Sequence, residues 1–332
     1  MSQDWNVGML LGVSNGYWRG CTLQAAVRLR IFSFLGQETR SPDEVASDAS
    51  TEVRATGLLL DALSAMGLIT KKGTHYTNNE FARTYLTEDS PEFIGHIILH
   101  HHHLVDGWAQ LDKAVCTGKK VEKRSYGADT ERESFLLGMF NLAKGLAPQL
   151  AANIDFSGRK RLLDLGGGPG TYSIHFCQAN PELKAVIFDR PTTKYIADKV
   201  VSSYDLSDRI SFEGGDFNLT SPGKERFDAA WLSHILHSNS YEQSEQCIQK
   251  AVDALEPGGL LLIHDFILNT EKDGPEFPAL FALNMLIGTD KGRSYSDKEI
   301  TSMMRQAGLV KIIHHPFRAP NDSSILSGIK PR

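Results

Sequence analysis

Apolar residues along this chain recur first at helical spacing and later in short runs, and the change falls near Gly158. Up to about residue 90 the pattern predicts helices and one small hairpin. Leu23, Ala26, Val27, Leu29 and Ile31 are apolar helical positions, and Ser41-Pro42-Asp43-Glu44 reads as a capping box with proline at the first helical position. A further helix after Ser50-Thr51 carries Leu58, Leu59, Leu63 and Met66 on one side and stops at Gly67. Leu68-Ile69-Thr70 and Thr74-His75-Tyr76-Thr77, split by Lys71-Lys72-Gly73, make a two-stranded wing. From about Thr130 to Asn153 a long helix is expected, kinked by Pro148.

Beyond it the pattern turns to buried strands separated by helices. Leu162, Leu163 and Leu165 form an apolar run that breaks at Gly166, Gly167, Gly168 and Gly170. A helix follows from Thr171 to Gln178, and a second strand ends at Asp189. Next come a helix around Thr193 to Ser203, a strand Arg209 to Glu213, a strand Phe227 to Leu232, and a helix Tyr241 to Leu255 that ends at Pro257-Gly258-Gly259. Leu260 to Ile263 is a fifth buried strand, Ser296 and Glu299 cap a late helix, and Val310 to Phe317 with Ser323 to Lys330 make a closing antiparallel pair. Strands alternating with helices predict an α/β domain built as mononucleotide-binding units.

The totals narrow the function. A chain of 332 residues holds one large domain and a smaller one, and a net charge of −5 gives no electrostatic reason to expect nucleic acid. The wing after helices raises DNA binding, yet the helix that would enter a groove offers only Arg54 to read bases. The N-terminal stretch has no basic region before its short apolar run, so no signal peptide is expected, and no segment approaches the ~20 apolar residues of a membrane span. Cys21, Cys116, Cys177 and Cys247 lack paired spacing, which argues for a reducing cytoplasm and against a structural zinc. His96, His100, His101, His102 and His103 form a cluster in which only His96, His100 and His103 share a helix face; a polar helix, a pocket wall and a metal site all stay open for it.

The chemistry concentrates at the glycine turn. Glycines let the chain turn sharply and bring bare backbone against a ligand, and a carboxylate at the tip of the second strand, Asp189, suits the two hydroxyls of a ribose. Gly166, Gly168 and Gly170 alternate, unlike the Gly-x-Gly-x-x-Gly dinucleotide fingerprint, and no Gly-Lys-Ser/Thr follows. Asp164 in the strand end repels a pyrophosphate and suits a ligand with a cationic amino group. Asp216 could accept from an adenine amino group and Phe217 could stack on the ring; a helix cap and a core phenylalanine are the plainer alternative. His237 and Asp265 lie beyond the carboxyl ends of neighbouring strands, where ligands sit in open α/β sheets.

Asp164-Leu165-Gly166-Gly167-Gly168-Pro169-Gly170 resembles the glycine motif of class I S-adenosylmethionine (SAM) methyltransferases, and Phe188-Asp189-Arg190-Pro191 resembles their second motif. With Gly215-Asp216-Phe217 and the stretch Asn284 to Gly308, the whole chain resembles the SAM-dependent O-methyltransferases that carry an N-terminal winged-helix dimerisation domain. The resemblance implies a Rossmann-like seven-stranded SAM domain at 156–332, connecting helices at 111–155 and a mostly helical winged-helix dimerisation domain at 1–110, assembled as a cytoplasmic homodimer that takes a small acceptor and neither nucleic acid nor membrane. It implies cofactor contacts at Asp164, Gly166, Gly168, Asp189, Arg190, Asp216, Phe217 and Ser233. It implies His237 as base with Asp265 beside it, no metal, and an acceptor pocket between the domains walled by His103, Trp108, Phe140 and Met285.

Two departures stand out. Ser238 and Asn239 replace the Asp-Trp that follows the family's histidine, and Ser294 stands where many members have Glu. A phenol must lose its proton to be methylated, for which an imidazole is suited. A thioether carries no proton and needs no base, so S-methylation is the alternative reading; SAM chemistry without methyl transfer and a winged-helix regulator are further ones.

Overall fold

The computed structural model describes residues 4–332, so the first three residues of the N-terminal stretch read above lie outside the described residues. The helical pattern resolves into α1 (Val7–Ser14), α2 (Tyr17–Arg28), α3 (Ile31–Leu35), α4 (Pro42–Ala49) and α5 (Val53–Ala65). A hairpin of β1 (Ile69–Lys72) and β2 (His75–Asn78) follows, then α6 (Glu80–Tyr85), α7 (Gly95–Trp108), α8 (Leu111–Thr117) and α9 (Ala128–Asn153). The remainder alternates: β3 (Arg161–Leu165), α10 (Thr171–Ala179), β4 (Lys184–Asp189), α11 (Lys194–Ser202), β5 (Ile210–Gly214), β6 (Phe227–Ser233), α12 (Tyr241–Ala254) and β7 (Leu255–Asp265). Then come α13 (Glu276–Gly288), α14 (Asp297–Gln306), β8 (Val310–Arg318) and β9 (Ser324–Ile329).

These elements pack as two units, one running to Val105 and including Ser125–Asn141, the other made of Asp106–Arg124 and Leu142–Arg332. The stretch 111–155, expected as a connector between 1–110 and 156–332, is thus shared between the units. Residues 125–141 join the first because α9 meets α7 there: a Cβ on Gly138 would lie 3.1 Å from Ile97 Cα, and Asn141 Nδ2 donates to the Phe93 carbonyl at 2.8 Å. The helix itself runs on through Pro148.

In the first unit α4 starts with the expected capping box: Ser41 N donates to Glu44 Oε2 at 2.7 Å and Ser41 Oγ accepts from Glu44 N at 3.3 Å. The wing also forms as read, with Ile69 opposite Asn78. Two details differ from the apolar pattern. Leu29 and Ile31 do not share a helix, because Arg30 between α2 and α3 adopts a left-handed φ of 57°. On α5 the core face is Thr56, Leu60 and Leu63, whereas Leu58 is 58% exposed. Spacings of four and three residues put Thr56, Leu60 and Leu63 on one stripe, and Leu58 falls on the opposite side.

The second unit is a seven-stranded sheet in the order β5-β4-β3-β6-β7-β9-β8. β5, β4, β3, β6 and β7 are parallel, and β9 enters antiparallel between β7 and β8. The chain leaves β3 toward β4 on one side and returns to β6 on the other, so β3 marks the switch point where open α/β sheets bind ligands. Leu163, Leu165, Leu232, Ile248, Leu261 and Ile263 form the buried centre, each worth about 1.5–3 kcal/mol of burial. The helix expected to reach Leu255 ends at Ala254, and Pro257-Gly258-Gly259 falls inside β7 as an irregularity: the pairing steps from Phe227 opposite Leu255 to Ala229 opposite Leu260. Extra residues on one strand are absorbed as a bulge.

Candidate active site

At the tip of β3 the chain turns through Gly166, Gly168 and Gly170, with φ of 71°, 55° and 79°. These left-handed values favour glycine. A Cβ on Gly166 would lie 2.2 Å from Ile235 Cδ1 and one on Gly167 2.5 Å from Asp164 Cγ, whereas one on Gly168 would meet nothing within 4 Å. The turn is therefore tight on its inner side and presents bare backbone to open space at Gly168. Asp189 at the tip of β4 is tied to it: its Oδ2 accepts from Gly168 N at 2.8 Å, and its Oδ1 from Arg190 N at 2.6 Å and Thr193 Oγ1 at 3.3 Å. A carboxylate has about four acceptor positions, so Asp189 keeps capacity for a ligand. Arg190 takes part through its backbone, its residue being exposed.

Asp164 is buried beneath the turn. Its Oδ2 accepts from Ser173 Oγ at 2.7 Å, and its Oδ1 has no protein partner among the described residues. Burial pushes its carboxyl up to about 7, against the Ser173 bond that lowers it, with the charge of Asp189 pushing the same way as burial. Beyond β5, Asp216 Oδ1 accepts from Asn218 N at 2.9 Å and its carbonyl from Thr220 N at 2.7 Å, so Asp216 closes a turn and caps no helix, β5 and β6 being joined without one. Phe217 is 9% exposed, packed in the core, with a ring carbon 3.4 Å from where a Gly166 Cβ would stand.

Past the ends of β6 and β7 the two chemically active side chains meet. His237 Nδ1 lies 2.6 Å from Asp265 Oδ1 and both residues are buried. Asp265 Oδ1 also accepts from Phe266 N at 2.8 Å, and Oδ2 from Leu236 N at 3.2 Å and His237 N at 3.4 Å. Burial alone would raise the Asp265 carboxyl, but the imidazoles of His237 and His234 outweigh it and hold the group far below the ordinary carboxylate range. The rings of Phe281 and Phe266 flank His237 at centroid distances of 4.8 and 5.9 Å.

His234, to which no motif in the sequence points, is brought here by the fold. It adopts a left-handed φ of 58°, its N donates to the His264 carbonyl at 2.8 Å, and its Nδ1 stands 3.7 Å from Asp265 Oδ1. His234, His237 and Asp265 place candidate ligand atoms within 4.8 Å of one another. The 2.6 Å approach of Nδ1 to Oδ1 is that of a hydrogen bond, closer than two ligands about 2.0 Å from one zinc ion would stand in a tetrahedron.

A family model described as the O-methyltransferase domain matches residues 106–310, and one described as the O-methyltransferase dimerisation domain matches 11–88. The chain belongs to the O-methyltransferase family. The 3-hydroxy-5-methyl-1-naphthoate 3-O-methyltransferase of Streptomyces sahachiroi is 30% identical over 97% of this chain and 95% of its own length. The tetracenomycin polyketide synthesis 8-O-methyl transferase TcmO of Streptomyces glaucescens is 30% identical over 98% and 97%. The solved structure of PigF with SAH superposes with a TM-score of 0.88 at 25% identity, over 98% of this chain and 100% of that one.

As a methyltransferase of this family the chain uses SAM. The residues present fit it: bare backbone at Gly168, an orphaned buried Asp164 oxygen, and Asp189 with spare acceptor capacity. Ser233 at the end of β6 is half-buried, with its Oγ 3.0 Å from His264 Nδ1. Trp108 Nε1 donates to Asn284 Oδ1 on α13 at 3.0 Å, and Met285 is buried on the same helix. His103 and Phe140 belong to the first unit, where His103 stacks on Tyr126 at 4.5 Å. Ser294 is buried and donates to the Pro278 carbonyl at 2.7 Å. Among the described residues no helix is long and apolar enough to cross a membrane.

Proposed function

We propose that this methyltransferase methylates a hydroxyl on the ring of a small aromatic acceptor, with His237 as general base. The observation that carries the reading is the buried His237–Asp265 pair at 2.6 Å, flanked by Phe266 and Phe281 at the carboxyl end of the sheet. Ionised Asp265 fixes the imidazole proton on Nδ1, which leaves Nε2 as a bare acceptor for the hydroxyl proton and stabilises the imidazolium that results. Such base catalysis contributes roughly 10² to 10⁴ in rate. When bound, SAM supplies an electrophilic methyl group on a sulfonium. Phe266 and Phe281 hold an aromatic ring beside the base and keep water away. Trp108 and Met285 are assigned as further acceptor contacts in the second unit.

For the cofactor, we assign Asp189 to the ribose hydroxyls, Gly166 and Gly168 to close backbone approach, Phe217 to the adenine face and Asp216 to its amino group. Asp164 and Ser233 serve the amino-acid end. The acceptor class follows the relatives, whose names specify O-methylation of a hydroxynaphthoate and of a tetracenomycin polyketide. Those names lend no support to a thioether acceptor. With residues 11–88 matching the dimerisation domain, we infer a homodimer. The unpaired cysteines fit a reducing cytoplasm, and the net charge of −5 speaks against nucleic acid as a partner.

Methyl transfer from labelled SAM to a panel of hydroxynaphthoates, phenols and thioethers tests this, comparing parent with His237→Ala. O-methylation that drops by two or more orders of magnitude in the variant supports it. Methylation of thioethers alone, or indifference to the His237 change, sinks it.

A further inference from the structure

The scheme above gives no work to His264, a fully buried imidazole at the end of β7 next to Asp265. Its ring is stacked on Trp231 at 5.5 Å and meets Tyr172 edge-on at 5.7 Å. Both ring nitrogens are engaged, Nδ1 with Ser233 Oγ at 3.0 Å and Nε2 with Ser323 Oγ at 2.8 Å.

The direction of every proton in this chain of contacts follows from its far end. Asn321 Oδ1 receives the backbone N–H of Ser323 at 3.4 Å and the Ser323 hydroxyl at 3.0 Å. Ser323 has one hydroxyl proton, so toward His264 its oxygen only accepts, and Nε2 carries the ring proton. Burial, with His234 alongside, keeps the His264 ring neutral, although Asp265 pulls the other way. Nδ1 is then bare, and Ser233 must donate to it. A hydroxyl oxygen that has given its proton away retains only lone pairs. The Tyr172 phenol hydrogen-bonds Ser233 and as a donor takes one of them; the acceptor capacity that remains for a ligand's donor is the other.

Ser233 sits where such an acceptor is useful. Leu232 pairs with Leu165 of β3, so Ser233 stands next to the start of the glycine turn, at the half-buried edge of the ligand face. We propose that His264 is a positioning residue that makes Ser233 an obligate hydrogen-bond acceptor, and that the donor it serves is the α-ammonium of SAM and of its product. This rests on the assignment of Ser233 to the amino-acid end of the cofactor. With its acceptor fixed in advance, the site discriminates a cation-bearing sulfonium amino acid from a bare thionucleoside.

Calorimetric titration of the full chain with three probes tests it: S-adenosylhomocysteine, its decarboxylated analogue, which keeps the amine, and 5′-methylthioadenosine, which has neither amine nor carboxylate. Ser233→Ala and His264→Phe are expected to weaken the first two by about tenfold, the worth of one charge-assisted hydrogen bond, and to leave methylthioadenosine within twofold. His264→Asn, whose amide oxygen can still accept from Ser233, is expected to bind nearly as the parent does. Parallel weakening of all three probes would reduce His264 to a packing residue and overturn the proposal. So would unchanged binding in Ser233→Ala, which tests the idea even if His264→Phe fails to fold, or weakening that spares the decarboxylated analogue. Failure of the parent to bind S-adenosylhomocysteine at all would instead overturn the cofactor assignment beneath it.

Discussion

His237 and Asp265 share one buried hydrogen bond of 2.6 Å, and the carboxylate is held from the other side by the amides of Leu236, His237 and Phe266. The backbone of the short turn Leu236–Ser238 that carries the imidazole thus also grips the acid that orients it. A carboxylate in this setting stays ionised at neutral pH, because its partners favour the charged form more than burial disfavours it.

Asp265→Asn should therefore keep the shape of the pair and lose its charge. The expected result is a fall in kcat on the order of 10² to 10⁴ with the acceptor KM changed little, because the lost term acts on the imidazolium formed in the transition state. Single-turnover rates with saturating SAM would check this. A fall in KM alone, or a kcat within a few-fold of the parent, would show that Asp265 does not support the base.

Gly166 and Gly168 should separate fold from binding. Alanine at Gly166 places a methyl 2.2 Å from Ile235 Cδ1 and at a left-handed φ of 71°, so both stability and SAM affinity should drop. Alanine at Gly168 meets no protein atom within 4 Å and suffers mainly its φ of 55°, a cost of about 1–2 kcal/mol. Its larger effect should be on ligand affinity, by tenfold or more, where the methyl fills the space left for the cofactor. Thermal unfolding and SAM titration on both variants would decide; equal loss of affinity and stability at the two positions would contradict the open face at Gly168.

Much of this was legible in order along the chain. The glycine break after Leu165, the carboxylate at Asp189, and the capping boxes at Ser41 and Ser296 are local signals, and each appears where the residues put it. What escaped depends on distant pairing. The bond from His264 to Ser323 exists because β9 inserts antiparallel beside β7, opposing Asp265 to Ser324, and no local pattern announces that insertion. The left-handed turn at His234 is likewise imposed by its amide bonding across to the His264 carbonyl, against the residue's own preference. On α5 the run Leu58-Leu59-Leu60 is apolar on every side, so only packing chooses Leu60 as the core residue.

Asp164 should leave a signature in the pH dependence of stability. Its folded carboxyl is pushed up to about 7 by burial, above the unfolded value of about 3.9, so the folded state binds its proton more tightly than the unfolded one does. The parent should lose stability as pH rises from about 4 to about 7 and level off above that, by roughly 4 kcal/mol from this residue. Asp164→Asn has no such titration. Urea unfolding of the cofactor-free protein at pH 5 and pH 8 should show the variant gaining on the parent at the higher pH, while its SAM affinity falls. A parent-to-variant difference that is flat across this range would mean that Asp164 is already ionised in the folded protein.

Ser294 offers the sharpest test of whether the missing family glutamate matters. Its hydroxyl is buried and bonded to the Pro278 carbonyl at 2.7 Å, while the preceding residue, Arg293, donates its amide to the His237 carbonyl at 2.8 Å. Ser294→Glu would place a longer, charged group in a site built around a small hydroxyl. A buried carboxylate without a partner costs several kcal/mol in practice or shifts its pKa and takes a proton. The variant should therefore melt several degrees lower and show no gain in kcat, whereas Ser294→Ala, which loses one hydrogen bond, should cost only about 1 kcal/mol. A rise in kcat with unimpaired stability in Ser294→Glu would mean that the site can still seat a second acid on His237, and that Asp265 orients the base less completely than its geometry indicates.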